Sequence, residues 1–158
     1  MTSGGPLNST TTLVHQIYTR SFCDSNGDGI GDFQGIISKL DYLQELGIGA
    51  IWISPFNDSP NYDNGYDISD YYAILKDFGT MADLEEMIQE CEKRDIIVMM
   101  DLVLNHCSHE HPWFLGACKD RNGKYHDYYI WEEGTEDQPP EGSAAFFGGN
   151  VWEWVPQV

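Results

Sequence analysis

Apolar residues fall into two patterns along this chain: unbroken blocks, and stripes spaced three or four residues apart. Ala50-Ile51-Trp52-Ile53 and Ile96-Ile97-Val98-Met99-Met100 are unbroken, as in strands buried on both faces of a parallel sheet. Leu13-Val14-His15-Gln16-Ile17-Tyr18 is rich in β-branched and aromatic residues and predicts an earlier strand. Between these blocks lie two stripes. Ile36, Ile37, Leu40, Leu43 and Leu46 share one face of a helix predicted over Phe33 to Leu46, and Gly47 ends it as a C-cap glycine. Met81, Leu84, Met87, Ile88 and Cys91 share one face of a second helix. Thr80 is placed to cap that helix with Asp83 three residues on, and Arg94-Asp95 ends it. Ser54 to Gly79 reads as a long loop. The order β-α-β-α-β with apolar strands predicts an α/β fold, a parallel sheet with helices outside.

From about Asn105 the periodicity stops. His, Trp, Tyr, Gly and Pro dominate, and Glu132 to Gly142 is acidic and Pro-containing, so it reads as loop. This segment reads as a lobe growing from the end of the third strand. The predicted organisation is a flexible Ser/Thr/Gly-rich tail over residues 1–12, the α/β part over 13–105 and the lobe over 106–158. A three-stranded parallel sheet leaves both edges open, and Trp152-Glu153-Trp154-Val155-Pro156-Gln157-Val158 supplies no closing element. The expectation is therefore the first part of a larger fold that needs a missing remainder, with poor solubility on its own.

Composition narrows the function classes. The 158 residues are 41% apolar and 22% charged, a globular composition with enough chain for a core. Eight basic against twenty-six acidic side chains give a net charge of -18, which argues against nucleic acid or an anionic membrane as partner. No run of eighteen apolar residues predicts a membrane span, and Met1 to Thr12 lacks the features of a signal peptide. Cys23, Cys91, Cys107 and Cys118 show no C-x-x-C spacing, which points to free thiols and a cytoplasmic chain.

Two groups of residues carry candidate chemistry. In Asp24-Ser25-Asn26-Gly27-Asp28-Gly29-Ile30-Gly31-Asp32, oxygen-bearing side chains alternate with glycines. Asp24, Asn26, Asp28 and Asp32, with the Ile30 carbonyl, form a ligand set for one hard cation; the plainer reading is a solvated Asp/Gly turn. An EF-hand is excluded, because its twelfth position carries a bidentate Glu and here that position is Gly35. The second group follows the strands. In parallel α/β folds ligands gather at the carboxyl ends of strands, where Asp63, Tyr66, Asp101 and His106 would converge. A stacking ring, carboxylates and an imidazole suit a neutral sugar. Singly, Asp101 is also compatible with a helix cap or an ion pair, Tyr66 with a core aromatic, and His106 with a structural residue. His106-Cys107-Ser108-His109-Glu110-His111 fits no standard zinc spacing.

At these residues the chain resembles the α-amylase family, glycoside hydrolase family 13, and within it the oligo-1,6-glucosidase and α-glucosidase branch. The resemblance runs from Val14 to about Trp154. It rests on Gln16-Ile17-Tyr18 with Arg20-Ser21-Phe22, Asp24 to Asp32, Lys39-Leu40-Asp41-Tyr42-Leu43, Gly65 to Tyr71, Phe78-Gly79-Thr80-Met81, Asp101 to His106, His111-Pro112-Trp113-Phe114, Asp127-Tyr128-Tyr129-Ile130-Trp131 and Phe147-Gly148-Gly149. It implies a (β/α)8 TIM barrel, of which this chain is the first three strands and two helices (13–105) plus part of the domain inserted after strand 3 (106–158). It implies calcium or magnesium held by Asp24, Asn26, Asp28, Ile30 and Asp32 in a structural role. It implies that Asp63, Tyr66 and His106 hold the glucose ring and that Asp101 supports the catalytic centre. The family reaction is retaining hydrolysis of α-glucosidic bonds in oligosaccharides. Such a barrel needs on the order of 250 residues, and the family's nucleophile and acid/base lie in later strands, so no catalytic residue is expected here and the chain alone is expected to be inactive. Pro139-Pro140-Glu141-Gly142 also lacks the Asn-Trp pair usual in the family. Two other readings remain: a non-catalytic relative of the amylase-like heavy subunits of amino-acid transporters, and a free-standing metal-binding module. The intact Gly65-Tyr66-Asp67 and Asn105-His106 speak against the former, and Gly35 against the latter.

Overall fold

The computed structural model describes residues 12–141, 144–145 and 148–156. The tail expected over residues 1–12 lies, apart from Thr12, outside the described residues. In chain order the elements are β1 (Leu13–Ile17), α1 (Thr19–Phe22), α2 (Phe33–Ile37), α3 (Leu40–Glu45), β2 (Ile48–Ile53), β3 (Asn57–Asp58), β4 (Asp70–Ile74), a 3-10 turn (Lys76–Phe78), α4 (Met81–Glu92), β5 (Ile97–Met100), α5 (Pro112–Lys119) and a second 3-10 turn (His126–Tyr128). They fall into two compact units, Met1–Ser108 and His109–Val158. Ser108 N donates to Ile68 O at 2.8 Å, which ties the chain through Ser108 to the first unit.

The three apolar blocks form one parallel sheet in the order β1-β2-β5. Ile17 pairs with Ile53, and Ile53 with Met100, so the carboxyl ends of the strands are level. Ala50, Ile51 and Ile53 of the central strand are fully buried. Strand β5 departs from the expected two-sided burial, since Met99 and Met100 are exposed, as are Leu13 and Val14 of β1. Among the described residues each edge strand pairs on one side only, with β2.

The helix expected over Phe33 to Leu46 is two helices. Ser38 donates its hydroxyl to Gly35 O at 2.7 Å, and Lys39 takes φ -108°, ψ 0° between them. A hydroxyl that bonds back to the preceding turn competes with the helical ladder. The stripe survives the break: Phe33, Ile36, Leu40 and Leu43 are buried and Ile37 is partly so. Leu46 is exposed, against expectation, because it is the C-cap, beyond which Gly47 turns the chain at φ 79°. In α4, Leu84, Met87 and Cys91 are buried. Met81 is exposed, also against expectation, since it sits in the first turn beside the cap. Thr80 and Asp83 form the full capping box: Asp83 N donates to Thr80 Oγ1 at 3.3 Å and Thr80 N to Asp83 Oδ2 at 2.7 Å. The core joins Ile17, Ile51 and Ile53 to Phe33, Ile36, Leu40, Leu43, Met87 and Cys91, each large apolar side chain contributing about 2 kcal/mol by burial.

The segment Ser54 to Gly79, expected as loop, contains the antiparallel pair β3-β4. None of the four cysteines is in a disulfide. The second unit is built on aromatic contacts. In α5, His111 Nδ1 accepts from Trp113 N at 3.0 Å and caps the helix, with Pro112 in its first turn. Trp113 lies 5.7 Å from Tyr128 edge-on, and Trp131 is parallel to both His126 and Phe114, within 11°. The expected loop is regular only in an isolated bridge, Thr135 to Gln138, over its described part up to Glu141; Gly142 lies outside the described residues. No helix among the described residues is long and apolar enough to cross a membrane.

Candidate functional site

Two backbone bonds carry the sheet past its strand ends. Ser54 N donates to Ile17 O at 2.9 Å, and Asp101 N to Ile53 O at 3.0 Å. Asp101 is therefore held at the carboxyl edge, directly after β5. The segment after β2 reaches the same edge through a loop that takes left-handed backbone at Asn61 (φ 65°), Asn64 (φ 53°) and Gly65 (φ 95°). A Cβ on Gly65 would stand 2.9 Å from Pro55 O, so both conformation and space require glycine there. Tyr66 N donates to Asp63 O at 3.0 Å and closes the turn.

Three of the four expected rim residues join through Tyr66. Its hydroxyl donates to Asp101 Oδ2 at 2.9 Å. Its carbonyl lies 3.1 Å from His106 Nε2. A carbonyl only accepts, so His106 carries its proton on Nε2 and offers Nδ1 as an acceptor when neutral. The Tyr66 phenol is raised above its ordinary value, first by burial, then by the bond to Asp101 and by the charges of Asp101 and Asp63. Asp63 is thus near enough to act on Tyr66 by charge, while its side chain faces solvent. Tyr71 on β4 donates its hydroxyl to His106 O at 2.8 Å and holds that backbone. Asp101 neither caps a helix nor joins an ion pair among the described residues; its partner is Tyr66.

Two residues near the rim were not among the expected site residues. Tyr18, at the end of β1, donates to Asn64 Oδ1 at 3.4 Å; its place one residue beyond a strand was the available signal. Asp67 accepts from the Ser59 hydroxyl and from the amides of Tyr62 and Asp63. Burial pushes the Asp67 carboxyl up, but these bonds outweigh it and hold the group below the usual carboxylate value. Nothing in its position separates Asp67 from Asp63 or Asp70.

The acidic loop Asp24 to Asp32 connects α1 to α2. Asp24 accepts from Asn26 N, Gly27 N and Gly29 N at 2.7–3.0 Å, and the bonds from Gly29 and Gly27 are the main reason its carboxyl is lowered. Asp28 accepts from Ile30 N at 2.8 Å. Asp32 is buried, with Oδ1 capping α2 at Gly35 N and Oδ2 accepting from Ser25. The donors are the hard oxygens that calcium or magnesium takes. They now serve the loop's own N–H groups, and among the described residues no three His, Cys, Asp or Glu side chains converge on a metal-sized point. A cation here would exchange some of these bonds for coordination, with Asp32 the least free to move. The same absence covers the His106 to His111 run.

The family model for the α-amylase catalytic domain matches residues 16–158. Oligo-1,6-glucosidase of Bacillus cereus is 57% identical over 143 residues, 90% of this chain and 26% of that protein. In three dimensions the chain superposes on the trehalose-6-phosphate hydrolase of Bacillus licheniformis with a TM-score of 0.88 at 49% identity, over 93% of this chain and 27% of that one. It superposes on the isomaltulose synthase of Klebsiella sp. LX3 with a TM-score of 0.90 at 51% identity, over 96% and 27%. The chain thus spans about a quarter of the length of the curated relatives it matches. These neighbours are TIM-barrel enzymes, and β1, β2 and β5 with their helices correspond to part of that barrel. From strand order, rim and sequence together, the chain belongs to the α-amylase catalytic domain family.

Proposed function

We propose that this chain supplies the first strands and one side of the sugar pocket of a glycoside hydrolase acting on α-glucosidic bonds of oligosaccharides, of the oligo-1,6-glucosidase type. The observation that carries the reading is the bonded set at the carboxyl edge of the sheet: Tyr66 to Asp101, and His106 to the Tyr66 carbonyl. With Asp63 beside it, it presents an aromatic face, two carboxylates and one imidazole acceptor, which match a ring bearing several hydroxyl groups and no charge. In this reading Asp63 and His106 Nδ1 accept hydroxyls, the Tyr66 ring stacks on the sugar, and Asp101 supports the centre by fixing Tyr66. Retaining cleavage needs a nucleophile and an acid/base about 5 Å apart across the bond, and these come from the part of the barrel outside this chain. Calcium or magnesium at Asp24, Asn26, Asp28, Ile30 and Asp32 would hold the connection between α1 and α2 and take no part in cleavage. Cysteines outside disulfides favour a cytoplasmic setting.

The test is hydrolysis of isomaltose and 4-nitrophenyl α-glucoside by the complete barrel, with Tyr66→Phe and His106→Ala beside the wild type. The expected result is turnover by the wild type and a kcat/KM lower by tenfold or more in each variant, about the value of one hydrogen bond to the transition state. Turnover that is indifferent to both substitutions would remove these residues from the site.

A further inference from the structure

The rim loop contains three residues in left-handed backbone, two of them asparagines. Such conformations cost free energy and persist only where the surroundings fix them. Over Asn61 to Asp63 the fixing group is the side chain of Asp67. Its Oδ1 accepts from Ser59 Oγ at 2.9 Å and from Asp63 N at 3.0 Å. Its Oδ2 accepts from Tyr62 N at 2.8 Å. Ser59 is buried, and its hydroxyl, having donated to Asp67, accepts from Asn61 N at 2.9 Å. One carboxylate therefore holds the backbone from Asn61 to Asp63 directly or through one hydroxyl. Asp63 in turn accepts from Tyr66 N, and Tyr66 bonds Asp101 and His106.

We propose that Asp67 is a positioning residue of the sugar site: it acts through the amides of Tyr62 and Asp63 to hold Asp63 and Tyr66 in register with Asp101 and His106. The inference rests on the sugar-site reading above only for its ligand, and the link from Asp67 to Tyr66 stands on geometry alone. The role requires a carboxylate. Two N–H groups and one hydroxyl converge on two oxygens, and bonds to a charged acceptor are the stronger kind. In Asp67→Asn the side-chain NH2 must face either Tyr62 N–H or, after a flip, Asp63 N–H. Both orientations set donor against donor.

The experiment uses the complete barrel as wild type, Asp67→Asn and Ser59→Ala, with amide hydrogen exchange by NMR and titration with isomaltose. In Asp67→Asn the Tyr62, Asp63 and Tyr66 amides exchange faster by roughly tenfold or more, the effect of one lost hydrogen bond, while Ile51 and Ile53 in the central strand are unchanged. Isomaltose affinity falls by a similar factor. Ser59→Ala, which keeps the carboxylate, gives a smaller change in the same direction and supplies the reading if Asp67→Asn unfolds. Unchanged exchange at Tyr66 in Asp67→Asn, or in Ser59→Ala if only that variant folds, overturns the proposal. A wild type that does not bind isomaltose, with Tyr66 still responding to the substitution, supports the positioning link and overturns the sugar reading.

Discussion

Gly35 stands where an EF-hand would place its bidentate Glu, and the structure gives a steric reason why no side chain is admitted. A Cβ built on Gly35 lies 2.7 Å from the carbonyl carbon of Cys23 and closer still to its oxygen. Ordinary contact with that oxygen, 1.8 Å from the Cβ, requires the two backbones to part by about 1.6 Å, taking ordinary contact at 3.4 Å. That carbonyl also accepts from Asp32 N at 3.1 Å, and Gly35 N donates to Asp32 Oδ1 at 2.6 Å. Separation therefore costs the overpacking strain, about 1–3 kcal/mol, and weakens one backbone bond and one cap, each about 1 kcal/mol. Alanine recovers about 1 kcal/mol as a better helix former. The expected net loss for Gly35→Ala is about 2–4 kcal/mol, a fall in melting temperature of roughly 5–15 °C. Gly47→Ala is the comparison. Its φ is 79° but nothing lies within 4 Å of the added Cβ, so only backbone strain of about 1–2 kcal/mol applies. Urea unfolding of the two variants beside the wild type tests the difference. If Gly35→Ala costs less than about 0.5 kcal/mol, or less than Gly47→Ala, the close approach of Cys23 to α2 is not what closes this loop.

Thr19 is buried and its hydroxyl has no hydrogen-bond partner among the described residues; Thr19→Val removes that desolvated group and should raise stability by about 1 kcal/mol, whereas a loss in urea unfolding would mean the hydroxyl is satisfied in solution. The Asp83 carboxyl is held below its usual value, mainly by the Thr80 hydroxyl and then by Gln34. A lowered folded pKa adds stability that is present above the unfolded value, about 3.9, and is lost as pH falls through the lower folded value. The melting-temperature gap between wild type and Asp83→Asn should therefore close below about pH 4; a gap that persists in acid would assign it to shape. If the acidic loop holds a divalent cation, millimolar calcium should raise the melting temperature of the wild type by linkage and leave Asp24→Asn unmoved, and a wild type indifferent to calcium and magnesium would leave the loop as a self-bonded turn.

What could be read from the sequence, and what could not, follows the range of the forces involved. The strands of the parallel sheet were legible, β2 and β5 because unbroken apolar runs answer to burial alone and β1 from its β-branched and aromatic residues, and α4 because its cap and its stripe agree. The break at Ser38-Lys39 was not, since a stripe that continues across two helices is the same string as one helix. The pair β3-β4 left no trace: Asn57-Asp58 is short and polar, and it pairs by backbone. Helix α5 was hidden because Trp113 and Phe114 pack by ring stacking and give no aliphatic period. The site divides in the same way. Asp63, Tyr66, Asp101 and His106 were legible as types because they follow strand ends, where a parallel fold gathers its ligands. Their division of labour was not. Asp63 and Asp67 are the same residue four positions apart, yet one carboxylate faces solvent and the other is turned onto Ser59, Tyr62 and Asp63. The left-handed backbone at Asn61, Asn64 and Gly65 accompanies that division, and Gly65 is confined to glycine by Pro55, ten residues earlier. The backbone that leaves Asp63 exposed and turns Asp67 inward is thus constrained by a contact outside the motif that contains both.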